Sequence, residues 1–248
     1  MSVNLGSAKP ETESVGSRPS RLGPLWMSTV GKKALMALSG MVLFGYVVAH
    51  LLGNLQIYLG GKESPSGWVW KIDQYARFLH DSPVILWTAR IILLTAVLVH
   101  AIAGIQLWLR SHEARPIGYR ARENIQASTP SRTMIWTGLA IAAFVIYHVL
   151  DLTVGVAHAG PYLETKPFEN LATGFSSSHP VPALLYIAAM IALGMHLWHG
   201  VYSMFGSLGL DNARYMNSVR RVAALLATVI ALANISVPVA VLTGLLHG

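Results

Sequence analysis

Histidine side chains lie inside four long apolar stretches of this sequence, and they are the residues whose type and spacing could do chemistry. The fourth stretch, residues 184–206, has no Asp, Glu, Lys or Arg, yet it contains His196 and His199. The first three stretches contain one interior histidine each, namely His50, His100 and His148. Because an imidazole without a partner is costly in hydrocarbon, a histidine inside an apolar span indicates a functional site. Imidazole nitrogens serve as axial ligands of haem iron and as proton relays.

The composition is typical of a membrane protein. Of the 248 residues, 53% are hydrophobic and 12% are charged, whereas soluble domains carry about 25% charged residues. A membrane-spanning helix needs roughly 20 apolar residues, and the sequence has five apolar stretches of that length. The net charge of +7 comes from basic residues between these stretches. That placement follows membrane topology, so we expect no nucleic-acid partner.

The sequence therefore predicts an all-α integral membrane protein. Five transmembrane helices are expected at about residues 31–59, 83–109, 133–156, 181–206 and 219–246. We expect residues 1–26 to form a polar, loosely ordered cytoplasmic tail and residues 27–248 to form the transmembrane domain. Residues 67–80, between the first two spans, mix aromatic and polar side chains, which predicts a short helix lying at the membrane interface.

Basic residues concentrate on one side of the predicted membrane. The N-terminal tail, the link between the second and third spans and the link between the fourth and fifth carry most of the Lys and Arg. The second of these links contains Arg110, Arg115, Arg120, Arg122 and Arg132. Because basic links stay on the cytoplasmic side, we expect a cytoplasmic N-terminus, an external C-terminus and a location in the bacterial cytoplasmic membrane.

The interior histidines fall at two depths. At about 1.5 Å of rise per helical residue, His50 and His148 lie roughly 25 Å from the cytoplasmic ends of their spans, and His100 and His196 roughly 15 Å. Two pairs at two levels are what two b haems with two imidazole ligands each, one above the other, would require. The depths do not choose between His196 and His199, and the second of these could instead bond a haem propionate or a quinone.

The residue types exclude several other cofactors and leave some histidines unassigned. The sequence contains no Cys, which excludes Cys-ligated iron–sulfur clusters and covalently attached c-type haem. We expect the histidines in links or at chain ends to be solvated; these are His80, His112, His158, His179 and His247.

Five segments, taken in order, resemble a known family. They are SGMVLFGYVVAHLLGNLQIY around His50, DQYARFLH before the second span, VHAIAGIQLW around His100, YHVLDLT around His148, and HLWHGVYSMFGSLG in the fourth span. Over about residues 26–209, the chain is similar to the single-chain, five-helix, di-haem cytochrome b subunit of succinate dehydrogenases and fumarate reductases, the b558 type.

The resemblance implies a set of ligands and partners. In the family, each of the first four helices supplies one haem ligand, and the matching positions here are His50, His100, His148 and His196. The spacing of His196 to Gly200 favours His196 over His199. The family pairing makes His100/His196 the ligands of the proximal haem and His50/His148 those of the distal haem. The first four helices would form the haem-binding bundle.

The resemblance also implies a respiratory complex II around this chain. The chain would have no catalytic residue of its own and would pass electrons between an iron–sulfur subunit and a membrane quinone, expected to be menaquinone. A flavoprotein subunit would carry covalent FAD, the iron–sulfur subunit would carry the clusters, and the assembly would be a trimer of complexes in membrane lipid. Gly194 stands where some relatives have a proton-conducting Glu, so the resemblance does not extend to proton transfer there.

A quinone site would be an apolar cleft with a few polar groups. On the outer side the candidates are Asp73, Tyr75 and His80, and Asp73 is the nearest counterpart of a carboxylate implicated in quinone chemistry in some relatives. On the inner side the candidates are Ser28, Thr29 and Lys32, where the first span meets the cytoplasmic surface.

Two alternatives remain open from the residues themselves. One keeps the haems and changes the partner, as in the b-type membrane subunit of a formate dehydrogenase or hydrogenase. The other is a non-redox, proton-coupled transporter that uses the histidines and Asp151 as a proton relay. A reduced-minus-oxidised optical spectrum separates the two haem readings from the transporter.

Overall fold

The structure is a computed structural model that describes residues 26–65, 67–113 and 133–246. The predicted N-terminal tail, apart from Trp26, lies outside the described residues. So do His247 and four arginines of the basic link between the second and third spans, namely Arg115, Arg120, Arg122 and Arg132.

Within these described ranges, five helices are long and apolar enough to cross a membrane, which confirms the predicted all-α integral membrane class. They are α1 (Thr29–Asn54, continued by a 3-10 turn at Leu55–Leu59), α3 (Pro83–Glu113), α4 (Met134–Leu152), α6 (Pro180–Ser207) and α7 (Ala213–Leu242).

The helix ends differ from the prediction by four or more residues at three spans. Helix α3 continues to Glu113 instead of ending at residue 109. Helix α4 stops at Leu152 instead of residue 156, because Gly155 takes a φ of +83° that continues no right-handed helix. Helix α7 begins at Ala213, six residues before the predicted start, because the Asn212 side chain accepts a hydrogen bond from the Arg214 N–H and caps the helix.

Two links form a small cap over the end of the bundle that is remote from the start of α1, and this end is called the outer end here. After α1 the chain forms an antiparallel hairpin of β1 (Gly61–Ser64) and β2 (Gly67–Trp70), followed by α2 (Lys71–His80). The predicted helix over residues 67–80 was therefore wrong for its first four residues, which pair with β1 and leave the helix to begin at Lys71. The link between α4 and α6 contains α5 (Pro167–Gly174), which packs against α2.

The first four transmembrane helices form a ring. Helix α1 packs against α3 and α6, and α4 packs against α6 and α3, so that α1 and α4 are diagonally opposite, as are α3 and α6. Helix α7 packs against the outside of this ring, mainly on α6. The two helices approach closely at Gly194, where a Cβ atom would lie 3.1 Å from the Cβ of Ala231.

The largest fully buried side chains lie at the outer cap, whereas the transmembrane helix α3 buries only small ones. The largest fully buried side chains are Phe168, Phe175 and Ile57, all at the outer end. By contrast, the residues that α3 buries are Ala96 and Ala103, which lie one turn before and one turn after His100. Small residues therefore lie beside His100 within the ring, whereas the tight apolar packing lies at the cap and against α7.

Candidate functional site

The structure brings the interior histidines together in two pairs. The ring centres of His50 and His148 lie 5.8 Å apart, with 87° between the ring planes. Those of His100 and His196 lie 6.2 Å apart, with 65° between the planes. Each pair joins two diagonally opposite helices, α1 with α4 and α3 with α6. These are the pairs that the depth estimate predicts.

The separation of the rings fits two imidazoles that share one metal. A ligating imidazole nitrogen lies about 2.0–2.1 Å from a Zn²⁺ ion, and the ring centre lies about 1 Å further away, so two rings on opposite sides of a metal have centres about 6 Å apart. Both observed distances are close to this value. The donor set, two imidazoles at each level, fits the two axial ligands of an iron porphyrin.

Hydrogen bonds determine which ring nitrogen of His100 is available to a ligand. Its Nδ1 lies 3.0 Å from the carbonyl oxygen of Met36 and 3.4 Å from the Ser39 hydroxyl. A carbonyl oxygen can only accept, so Nδ1 carries the hydrogen. The Ser39 hydroxyl donates in turn to the carbonyl of Leu35 at 2.7 Å. Within the described residues no hydrogen bond reaches Nε2, which is therefore the nitrogen left for a ligand.

His196 is held in the same way by a residue of α4. Its Nδ1 lies 3.3 Å from the hydroxyl of Thr137. That hydroxyl donates to the carbonyls of Thr133 at 3.0 Å and Met134 at 3.1 Å, so it accepts from the imidazole N–H. The Nε2 of His196 is again the nitrogen left for a ligand.

A repeated sequence pattern underlies these two contacts. Helices α1 and α4 both carry Met-x-x-(Ser/Thr)-Gly with a His ten residues after the Gly. The glycine of each repeat touches the histidine of the next transmembrane helix. A Cβ atom at Gly40 would lie 3.1 Å from Cε1 of His100, and one at Gly138 would lie 3.4 Å from Cε1 of His196. Comparison of the two spans within the sequence would have found this pattern, but not its contacts.

The outer histidine His148 contacts a buried polar network that the sequence did not reveal. Its Nδ1 lies 3.2 Å from the hydroxyl of Tyr186 on α6, and this hydroxyl donates to Asp151 at 2.8 Å. The second oxygen of Asp151 lies 2.8 Å from Nδ1 of His158. The expectation that His158 is solvated was therefore wrong, because its side chain is fully buried against Asp151.

The second outer histidine, His50, has a different environment. Its ring stacks on Tyr46, one turn earlier in α1, with 5.4 Å between ring centres. Within the described residues, no hydrogen bond reaches either of its ring nitrogens. Its orientation therefore rests on ring packing against Tyr46 and His148 alone.

His199 lies apart from the imidazole pairs. Its Nδ1 is 3.0 Å from the hydroxyl of Tyr202, and the Arg220 guanidinium lies over the Tyr202 ring at 5.1 Å from its centre. The structure thus places His196, and not His199, opposite His100. Three histidines expected to be solvated, His80, His112 and His179, are exposed.

The outer quinone candidates do not converge on one cleft. The Asp73 side chain is buried and accepts a hydrogen bond from the Phe168 N–H at 3.0 Å, at the start of α5. Burial raises the pKa of Asp73 above its usual range, and the Phe168 N–H opposes that rise. Tyr75 packs on Gly53 of α1, and His80 is exposed at the end of α2.

The inner candidates lie beside a groove without lining it. Ser28 caps α1 by accepting from the Gly31 N–H at 2.9 Å, Thr29 accepts from Arg110 at 3.4 Å, and the Lys32 ammonium lies 6.0 Å from the centre of the Trp26 ring. The neighbouring groove has a volume of about 1060 Å³ between α1, α6 and α7. Its polar lining includes Lys33, Tyr202, Ser203, Asp211 and Arg220.

These features define the class as an integral membrane helical bundle with two imidazole pairs, one above the other, in its interior. The model of the family described as succinate dehydrogenase/fumarate reductase transmembrane subunit matches residues 115–235. The match covers 121 of the 248 residues, and over this range the chain is similar to that family, as the resemblance predicts. The matched range contains His148 and His196, and it ends within α7. Neither a curated protein nor a solved structure matches the chain.

Proposed function

We propose that this chain is the membrane anchor and di-haem electron-transfer subunit of a succinate:quinone oxidoreductase. One observation carries the proposal: two imidazole pairs lie at two levels of the bundle, with ring centres 6.2 Å and 5.8 Å apart. The family, a transmembrane subunit of succinate dehydrogenase or fumarate reductase, supports it independently of this geometry.

Each pair would hold one haem b through Nε2. His100 and His196 would hold the inner, proximal haem, and His50 and His148 the outer, distal haem. When bound, the haem supplies one-electron redox chemistry. The chain's own residues orient the ligands, because acceptors fix Nδ1–H on His100, His196 and His148. An imidazole ligand is commonly fixed in this way by a partner of its other nitrogen.

The partners follow from the family and from the charge of the inner links. An iron–sulfur subunit would dock at the cytoplasmic surface, where the basic links lie, and a flavoprotein subunit would bind to it. The quinone, expected to be menaquinone, would bind in the membrane. The groove beside Tyr202 and Ser203 supports an inner quinone site better than Ser28, Thr29 and Lys32 do, because it combines apolar walls with hydroxyl groups.

The same family argues against the two alternatives left open by the residues. A subunit of a formate dehydrogenase or hydrogenase has another catalytic partner, and a proton-coupled transporter needs no haem. The Asp151 carboxylate, which the transporter reading requires, is fully enclosed by Tyr186 and His158.

The test is haem quantitation in the complex purified with its co-purifying subunits. Pyridine haemochrome analysis is expected to find two protohaems per chain, and succinate is expected to reduce haem or quinone in the same preparation. A preparation that contains the flavoprotein partner but no protohaem would reduce the role of this chain to that of an anchor. A co-purifying molybdenum or nickel subunit in place of a flavoprotein would contradict the proposal altogether.

A further inference from the structure

The outer histidine His148 has the Asp151 carboxylate behind its hydrogen-bond partner. Among the described residues, no carboxylate is bonded to the partners of the two inner histidines. We propose that Tyr186, Asp151 and His158 form a positioning network that sets the redox potential of the outer haem through His148. The inference rests on the proposed function, because it requires a haem on His148.

The direction of each hydrogen bond follows from the chemistry of the groups. The carboxylate of Asp151 can only accept, so the Tyr186 hydroxyl donates to it at 2.8 Å. That hydroxyl has used its single hydrogen, so it must accept from Nδ1–H of His148 at 3.2 Å. The Nδ1–H of His158 donates to the other oxygen of Asp151 at 2.8 Å. The hydrogen bonds therefore run in one direction, with His148 donating to Tyr186 and Tyr186 donating to the Asp151 carboxylate.

The network is closed from both membrane and solvent. Asp151 is 2% exposed and Tyr186 is 7% exposed, and the His158 side chain has no exposure at all. A Cβ atom at Gly174 would lie 2.8 Å from Cε1 of His158, so α5 holds the imidazole in place. Its Nε2 lies 3.3 Å from the Thr173 hydroxyl. Such enclosure strengthens each electrostatic interaction, since little solvent screens it.

A carboxylate behind the tyrosine changes the ligand that the iron would meet. Hydrogen bonding to Asp151 polarises the Tyr186 hydroxyl and makes its oxygen a better acceptor. A better acceptor on Nδ1–H gives His148 more imidazolate character, which favours ferric over ferrous iron. His100 and His196 have neutral acceptors, a carbonyl and hydroxyls. The network therefore lowers the potential of the outer haem from the value that a neutral acceptor would give.

The experiment is a potentiometric titration of the purified complex, followed at the b-type absorption bands. In Asp151→Asn, the ratio of reduced to oxidised outer haem at a fixed potential is expected to rise about tenfold, equal to 59 mV for a one-electron couple. Tyr186→Phe should shift the same component in the same direction, while leaving the Asp151–His158 pair intact. The component of the inner haem should not move in either variant.

Tyr147→Phe is the matched control. The Tyr147 ring lies 6.0 Å from that of Tyr186, yet in the described part of the chain no hydrogen bond joins its hydroxyl to the network. This variant should leave both potentials unchanged. The electron paramagnetic resonance signal of the oxidised outer haem should change in Asp151→Asn and Tyr186→Phe and not in Tyr147→Phe.

The outcomes separate this inference from the proposed function. Two haems with unchanged potentials in Tyr186→Phe would overturn the positioning role and leave the di-haem function intact, even if Asp151→Asn failed to assemble. A shift of equal size in Tyr147→Phe would also overturn it. Absence of protohaem from the wild-type complex would instead contradict the proposed function itself.

Discussion

The inner and outer imidazole pairs are built in different ways. At the inner level, each histidine is held by the outward helix that precedes it, through a hydroxyl or carbonyl and a touching glycine. At the outer level, His148 is held by Tyr186 of α6, which donates to Asp151 of α4, and the loop residue His158 binds the other oxygen of Asp151. His50 has ring packing alone. The inner site is therefore formed by two similar helix pairs, α1 with α3 and α4 with α6.

The two levels depend on different parts of the fold. The inner contacts need only the packing of neighbouring transmembrane helices, which are long and apolar. The outer contacts need the cap as well, because α5 holds His158 and Asp73 on α2 binds the start of α5. We therefore expect substitutions in the cap to weaken binding of the outer haem more than binding of the inner haem.

The largest expected effect comes from removal of a ligand. His100→Ala and His196→Ala should each remove the same, inner haem and leave the outer one, so that pyridine haemochrome analysis finds one protohaem per chain. His50→Ala and His148→Ala should each remove the outer haem. The control is His199→Ala, whose ring contacts Tyr202 instead of a paired imidazole. Retention of different haems in the His100 and His196 variants would contradict the pairing.

A bulkier residue at Gly40 tests whether the glycine contact is specific to the inner level. Gly40→Val should lower occupancy of the inner haem and cost about 1–3 kcal/mol of stability, because overpacking displaces His100. Gly45→Val on the same helix is the matched control, since no atom lies within 4 Å of a Cβ there. The test measures the haem content and thermal unfolding of both variants. Equal losses of haem and stability in the two variants would show that any β-branched residue in α1 has this effect.

Asp73 tests the dependence of the outer level on the cap. Asp73→Ala should cost about 1–3 kcal/mol, because it leaves the buried Phe168 N–H without its acceptor. On heating, Asp73→Ala should lose the outer haem before it loses the inner haem. Asp73→Asn keeps an acceptor oxygen without a charge, so it serves as the conservative control. If both variants lose the two haems together, the cap does not distinguish the levels.

The pH dependence of the same residue has a defined sign. Burial raises the pKa of Asp73 in the folded chain above its ordinary value of 3.8, so the folded state binds this proton more tightly than the unfolded state. Its contribution to stability is complete below about pH 3.8 and is lost as the pH rises through the raised value. The unfolding temperature of the wild type should therefore fall more steeply over that interval than that of Asp73→Asn.

The smallest effects should come from the two hydroxyls of the inner level. Thr137→Val removes the hydroxyl that accepts from His196, which should cost about 1 kcal/mol. Ser39→Ala should cost less, at most about 0.5 kcal/mol, because Nδ1 of His100 retains the Met36 carbonyl at 3.0 Å. Thermal unfolding of the two single variants measures the difference. Equal costs would show that the carbonyl contributes little.

Much of the site could be predicted from single residues and their distances along the chain. The five spans follow from apolar length, and the two levels follow from the rise per residue of a helix. The repeat Met-x-x-(Ser/Thr)-Gly can also be found in the sequence, although its contact with the next transmembrane helix cannot. By contrast, His158 was predicted to be solvated and residues 67–70 to be helical, and both predictions were wrong.

The sequence by itself determined the membrane class, the order of the spans and the depth of each histidine, because these depend on local hydrophobicity and on regular helical geometry. The tertiary structure alone decided that Asp151, Tyr186 and His158 meet behind His148, and that Asp73 binds the start of α5. These contacts join residues that are distant along the chain and lie on different helices or links, so no local pattern predicts them and only the folded chain brings their side chains together.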